Sequence, residues 1–244
     1  MGKQGGLGDN LYVDGYDLSG DTNSFNIGTP LTTLDMTGID KSCMERAGGL
    51  MDGSLQWVSF FDTALNQAHS VYKTLPRADR AVMATFGTLL GNPGCALVGK
   101  QVSYDGTRDN SGAFTFKLDA EANGFGLEHG HLLTAGKRTD TTATNGTGVD
   151  FTAVSTAFGW SAYLHVFAIT GTSVTVKIQD SADNSTFTDL TSASFPAASA
   201  IGSARMHGSA TATVRRYLRV VTSGTFTSAT FAVLFCRNAA EVDE

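Results

Sequence analysis

The stretch AGGLMDGSLQWVSFFD, residues 47–62, settles the fold class. After a glycine pair and an Asp-Gly turn signal, Leu55, Trp57, Ser59 and Phe61 alternate with Ser54, Gln56, Val58 and Phe60, the period of two that marks a β-strand. The first set is strongly apolar and belongs against a core. The second begins polar and ends on Val58 and Phe60, so the far end of this strand is expected to be covered on both sides.

Working outward, Asp62 can cap a helix over about 63–73, TALNQAHSVYK, in which Leu65, Ala68, His69 and Tyr72 recur at i, i+3, i+4 and i+7. Pro76 stops it. A single short amphipathic helix needs a sheet to lie on, and Trp57 and Phe61 offer one. Strand patterns follow at 81–88, 95–104 and 112–118, with YDGTRDNSG, residues 104–112, as an exposed turn. Upstream, strands are expected at 11–18 and around 24–35, the second interrupted by Gly28 and Pro30. Between them and the opening stretch, DMTGIDKSCMERAGGLMDG (35–53) is too polar and glycine-punctuated for a simple strand. It is also too long for a hairpin turn, and a loop of that length in a compact β domain usually binds something.

A different rhythm begins beyond DTTATNGTG (140–148), which is small, polar, aperiodic and the best linker candidate. Short strands are expected at 160–169, 173–179, 186–190, 205–214, 216–222 and 227–236, separated by turn signals such as DSADNS and TSGTF. That is the pattern of an all-β sandwich. The chain therefore reads as mainly β. Residues 1–139 form a sheet or sandwich with one short helix, 140–149 a linker, and 150–244 a second β-sandwich.

Composition agrees: charged residues are only 16% of the 244, while Gly, Thr, Ser and Val are abundant, which favours sheet. The net charge of −6 is uneven, with 9 Lys+Arg against 15 Asp+Glu in residues 1–135 and 8 against 8 in 136–244. An acidic first half repels nucleic acid at long range and argues against a DNA-gripping role. No run of about 18 apolar residues suggests a membrane span, and the polar N-terminus reads as an arm without a secretion signal. MGKQGG departs from the myristoylation pattern of Gly2 at its sixth position. Cys43, Cys95 and Cys236 are odd in number and far apart, which points to a reducing compartment rather than a disulfide framework. The tail RNAAEVDE is acidic and expected to fray.

The motifs that could carry chemistry are thin. In EHGH, residues 128–131, His129 and His131 would share a strand face and could approach zinc, yet no third or fourth ligand has suitable spacing. His165 and His69 are expected as partly buried, satisfied histidines. There is no G-x-S-x-G elbow, and GGLGDN follows no strand and lacks the Lys-Ser/Thr of a phosphate loop. DSADNSTFTD (180–189) is oxygen-rich but lacks the spacing of a calcium loop, so an Asx turn is expected. RRYLR (215–219) alternates Arg215, Tyr217 and Arg219 against Arg216 and Leu218, most simply a solvated strand face. No catalytic residue, cofactor or metal follows from this inventory, and an enzyme is not expected.

A resemblance does emerge. VDGYDLSGDTNSFNIGTPLTTLDMTGIDKSCMERAGGLMDGSLQWVSFFD, followed by the short helix, LPRADRAVMATFGTLLGNPGCALVGKQVSYDGTRDNSGAFTF and LLTAG, resembles the major tail tube subunits of long-tailed, siphovirus-type bacteriophages over residues 11 to about 136. The resemblance implies a two-sheet β-sandwich with one flanking helix, assembled as a homo-oligomer into hexameric rings stacked as a conduit for DNA ejection. It further implies tape-measure and tail-terminator proteins as partners, transient passage of DNA, and a place in the virion after assembly in the host cytoplasm. The long loop then becomes a contact between subunits or rings, with Asp35, Asp40, Lys41, Glu45, Arg46 and Asp52 as candidate polar partners. The C-terminal sandwich, Ig-like or jelly-roll-like, departs from the minimal tube pattern and would decorate the outside, with Trp160, Tyr163 and Tyr217 as candidate glycan contacts. The alternative is a capsid decoration protein or a carbohydrate-binding module.

Overall fold

The computed structural model describes residues 6–239. The beginning of the expected N-terminal arm, Gly2 included, and the last five residues of the acidic tail lie outside the described residues. In the first half, β1 (Asn10–Val13) and β2 (Tyr16–Asp17) form a hairpin through Asp14 and Gly15, both at positive φ, and a 3-10 turn spans Ser19–Asp21. Then come β3 (Thr22–Gly28), β4 (Leu31–Asp35), β5 (Arg46–Met51), β6 (Ser54–Phe60) and the helix α1 (Ala68–Tyr72). After α1 the chain continues through β7 (Arg80–Thr85), β8 (Pro93–Gln101), β9 (Asp105–Arg108) and β10 (Phe114–Ala122). The second half carries β11 (Glu128–Leu132), β12 (Arg138–Asp140), β13 (Val149–Thr156), β14 (Trp160–Ser181), β15 (Thr188–Ser194), β16 (Gly202–His207) and β17 (Val214–Arg237).

Among the described residues the fold is mainly β with one lone α-helix, as expected. Fifteen strands form one antiparallel system whose main path is β15-β14-β17-β11-β8-β10-β6-β3; β4 and β5 pair only with each other. The 47–62 reading holds for β6: Leu55, Trp57 and Ser59 are buried, and β6 lies between β3 and β10. Its far end departs from expectation, because Phe60 and Phe61 are exposed rather than covered on both sides.

The helix is shorter than its periodicity predicts. Asn66 has a φ of 64°, which no helix interior accommodates, and residues 62–67 fold as turns in which the His69 N–H reaches the Asp62 carbonyl at 2.9 Å. The Ala68 N–H at the head of α1 donates not to Asp62 but to Asp21 Oδ2 at 2.8 Å, an acceptor 47 residues away that local sequence reading cannot find. Ala68, Val71 and Tyr72 are buried, with the Tyr72 ring 5.6 Å from Trp57, while Leu65 stays outside. At the other end of α1, the buried Arg80 guanidinium donates to the Val71 carbonyl at 2.9 Å and to Gln101 Oε1 at 2.8 Å, fastening the helix to β7 and β8.

β14 and β17 fuse what the sequence divides into shorter strands. Their register runs from Trp160 opposite Arg237 to Ser181 opposite Tyr217, with shifts between Val166 and Ser173. Gly171 and Gly224 there have φ values of 138° and 124°, and a Cβ on either would strike backbone at 2.4 Å. Irregularities of this kind bend a strand. Trp160, Ala162, Leu164 and Val166 before the bend and Val174, Val176 and Ile178 after it belong to one apolar cluster with Phe231, Val233 and Phe235. The first part is buried on both faces over residues 160–166, a mostly apolar run that includes Ser161 and His165; the second buries alternate residues, matching SVTVKIQ.

A second cluster, around Leu55, Trp57, Tyr72, Leu97 and Leu118, fills the first half. A third draws Tyr12, Met83 and Ala96 together with Tyr163, Leu234 and Cys236 from the second half. The two halves also meet through polar contacts. The Gly15 N–H donates to His165 Nδ1 at 3.1 Å, Ser203 Oγ donates to Asp14 at 2.8 Å, and Lys137 pairs with Asp17 at 2.5 Å. Glu128 receives a two-pronged contact from Arg205, 2.9 Å at each oxygen, and the Tyr163 hydroxyl. The expected linker segment lies along β17: Asp140 is buried and accepts from Thr222 Oγ1 at 2.6 Å, and the Gly146 N–H donates to the Val220 carbonyl at 2.8 Å.

Candidate assembly surface

The loop expected over 35–53 is an ordered hairpin. β4 and β5 pair Leu34 with Ala47 and Asp35 with Arg46, after a register shift between Leu31 and Thr33. Short side-chain bonds replace the core it lacks. Thr32 Oγ1 donates to the Leu50 carbonyl at 2.8 Å, and Asp35 Oδ1 accepts the Thr37 hydroxyl and N–H at 2.6 and 3.0 Å. The Glu45 N–H donates to Thr37 Oγ1 at 2.9 Å and the Met36 N–H to the Glu45 carbonyl at 2.9 Å. The Thr37 hydroxyl, followed by its N–H, holds the exposed Asp35 carboxyl below the usual carboxylate range.

Of the six polar candidates, four are already engaged within the hairpin: Asp35 with Thr37, Lys41 with Glu45 at 3.4 Å, and Arg46 with the Met44 sulfur at 3.1 Å. Asp40 makes no ion pair among the described residues. Asp52 lies at the root of the hairpin, where its Oδ1 accepts the Gly53 N–H at 2.7 Å. The residues that sequence reading missed are apolar. Leu31, Leu34, Met36, Ile39, Met44, Leu50 and Met51 are all more than half exposed, Ile39 completely. Three of the chain's six methionines are on this hairpin; that enrichment was the available signal, masked by reading the stretch for charge.

The three aromatic residues expected on the outer surface do not form one. Trp160 is buried and stacked on Phe235 at 5.5 Å between ring centres, and its indole lies so close to Gly208 that a Cβ there would meet Nε1 at 2.3 Å. Tyr163 is buried against Arg205 and Glu128; burial, reinforced by the Glu128 carboxylate and opposed by the Arg205 guanidinium, drives its phenol pKa upward. Tyr217 is half-buried, with the Arg216 guanidinium 5.1 Å from its ring centre. β14 is buried on both faces over residues 160–166, so the glycan-contact expectation is corrected for Trp160 and Tyr163.

The remaining motifs are placed as follows. His129 and His131 are both exposed; His131 Nδ1 donates to the Gly91 carbonyl at 3.1 Å, and its ring meets Phe151 edge-on at 5.2 Å. Among the described residues no group of three or more His, Cys, Asp or Glu converges as metal ligands. In the 180–189 turn, Asp183 accepts the Thr186 and Ser185 N–H groups at 2.8 and 2.9 Å, which depress its pKa, and Asp180 accepts Arg215. The RRYLR arginines are all engaged, Arg216 with Asp150 and Arg219 with Gln179. His165 is fully buried; its Nε2 finds no partner, and burial pushes its pKa down to about 3. Among the described residues no helix is long and apolar enough to cross a membrane.

No family model matches the chain, and no curated protein matches it. Solved structures similar to it include a chain of the virion of a native gene transfer agent particle, at 14% identity over 51% of this chain and 97% of that one, with a TM-score of 0.43. The Dit protein (gp 19.1) of phage SPP1 is similar at 12% identity over 93% and 98%, TM-score 0.34. A chain of the phage p2 baseplate in its activated conformation with Sr is similar at 10% identity over 96% and 99%, TM-score 0.36.

Proposed function

We propose that this chain is a structural tail protein of a long-tailed phage, with no catalytic role, and that its copies assemble into stacked hexameric rings forming the tube through which DNA leaves. The observation that carries the reading is the β4–β5 hairpin. An isolated two-stranded hairpin is marginal in water, and monomeric proteins rarely leave a contiguous apolar surface of this kind uncovered. Here seven large apolar side chains are exposed on a hairpin whose two strands pair only with each other among the described residues. A surface of that kind makes sense if other copies cover it.

The sequence resemblance over residues 11–136 supports the same role, and the acidic balance of that half suits a conduit to which DNA should not adhere. The alternative glycan-binding reading is weakened by the burial of Trp160 and Tyr163. Negative-stain microscopy of concentrated protein at neutral pH tests the proposal. Hollow cylinders are expected from the wild type and none from a variant in which residues 36–45 are replaced by Asn-Gly. Wild-type protein that stays monomeric at all concentrations, or cylinders unchanged by the replacement, would overturn it.

A further inference from the structure

The hairpin is not the only uncovered apolar surface in the first half. β6 pairs with β3 from Ser54 opposite Gly28 to Ser59 opposite Thr22, and the hairpin leaves this ribbon at the Gly28–Ser54 end. At the other end, Phe60 is 45% exposed, Phe61 40% and Phe114, on the neighbouring β10, 38%; Leu65, on the following turn, is 84% exposed. The group is ordered rather than loose. The Phe61 ring lies 5.0 Å from Phe114 and 4.7 Å from His69, and the Phe61 N–H donates to the Phe114 carbonyl at 3.1 Å.

Resting on the reading of the hairpin as an assembly contact, we infer that the Phe60, Phe61, Leu65 and Phe114 surface receives the β4–β5 hairpin of a second copy, joining copies head to tail. Three observations favour this occupant. The two surfaces lie at opposite ends of a strand about 20 Å long, so a chain's own hairpin projects away from its own aromatic end. Their chemistry is complementary: Met36, Met44 and Met51 supply adaptable thioethers on one side, and exposed phenylalanine rings, to which methionine sulfur packs favourably, stand on the other. The four receiving side chains offer on the order of 450 Å² at their exposures, which the larger hairpin surface can cover; one such contact is at the small end of specific interfaces and gains strength by repetition along an assembly. Because the two surfaces differ, the contact is heterologous and propagates to a ring or a filament rather than stopping at a two-fold dimer.

The test uses two full-length variants and their mixture. Ile39→Asp with Met44→Asp disables the hairpin; Phe60→Asp with Leu65→Asp disables the aromatic end at two side chains that make no ring contact. Leu65→Asp alone serves if the double variant melts early. Sedimentation is expected to show large assemblies for wild type, monomers for each variant alone at concentrations up to 100-fold above the wild-type threshold, and a one-to-one dimer that grows no further in the mixture. That dimer uses the one intact hairpin and the one intact aromatic end. If wild type assembles and the aromatic-end variant does too, the aromatic receptor is wrong while the hairpin reading survives. Self-dimerisation of that variant would show hairpin pairing with hairpin, and a mixture of folded monomers would mean that something else covers the aromatic end; either outcome overturns the inference. A wild type that never assembles removes both proposals.

Discussion

Two antiparallel ribbons in this chain invite comparison. β14 and β17 run alongside each other for more than twenty residues, and their inward side chains on both sides of a bend fill one core with Trp160 and Phe235. β4 and β5 make the same backbone bonds over a quarter of that length, and their large side chains point into solvent. Backbone pairing is therefore common to both and distinguishes neither; each such hydrogen bond contributes little net free energy. Burial separates them. The long ribbon is stabilised by apolar area removed from water, whereas the short one is held by Thr and Asp side chains bonding locally and leaves its apolar area for a partner.

The contrast makes stability predictions that can break it. The largest effect belongs to the buried ribbon: Trp160→Ala is expected to lower the unfolding free energy by about 3–5 kcal/mol in urea melts, and Trp57→Ala in β6 by a similar amount. A change under 1 kcal/mol would mean that the ribbon is not the stabilising element. Glu128→Gln should cost about 3 kcal/mol, because it leaves the Arg205 guanidinium, with 6% of its side chain exposed, without its counter-charge where the halves meet. A double-mutant cycle with Arg205→Met checks that the loss belongs to the pair.

Acid should act through His165. The imidazole is neutral in the folded state, with a pKa depressed to about 3, and titrates near 6.5 when unfolded. Below 6.5 the unfolded chain binds the extra proton, so stability is present above that pH and is lost as pH falls toward the folded value, at about 1.4 kcal/mol per unit. Between pH 6.5 and 4.5 this amounts to about 2 kcal/mol, the slope reaching its full value only below the unfolded pKa. His165→Gln should flatten that part of the pH profile; an unchanged slope would assign acid sensitivity elsewhere. The smallest effect belongs to the exposed ribbon. Replacing residues 36–45 by Asn-Gly should change monomer stability by no more than about 0.5 kcal/mol, and a loss above 2 kcal/mol would show that the hairpin supports its own chain after all.

Much of the sheet was legible. Alternation in SLQWVSF and SVTVKIQ marked strands whose alternate residues are buried, whereas WSAYLHVFAI was legible as a strand but not as one buried on both faces at Trp160 and Tyr163. Other features were hidden for identifiable reasons. β5 reads as RAGGLM, with glycines and no apolar alternation, so its pairing with β4 leaves no periodic trace. β9, DGTR, likewise looks like turn, yet it pairs with β10. The helix pattern from Leu65 onward was cut by the left-handed backbone at Asn66, and the acceptor at its start came from Asp21. For the candidate site, sequence reading pointed to the charges of the 35–53 segment, four of which are engaged within the hairpin, and passed over its exposed apolar side chains.

By itself the sequence determined that this is a β protein, poor in charge, acidic in its first half and without a legible catalytic constellation, because period-two patterning and residue chemistry are local properties. Only the tertiary structure decided which apolar residues are spent on the core and which remain for a partner. Leu55 and Ile39, or Trp160 and Phe60, are equally hydrophobic in a string of letters. Their exposure depends on which side chains from elsewhere in the chain pack over them, as Tyr72 does on Trp57 and Phe235 on Trp160, and where none arrives a hydrophobic side chain is left facing water.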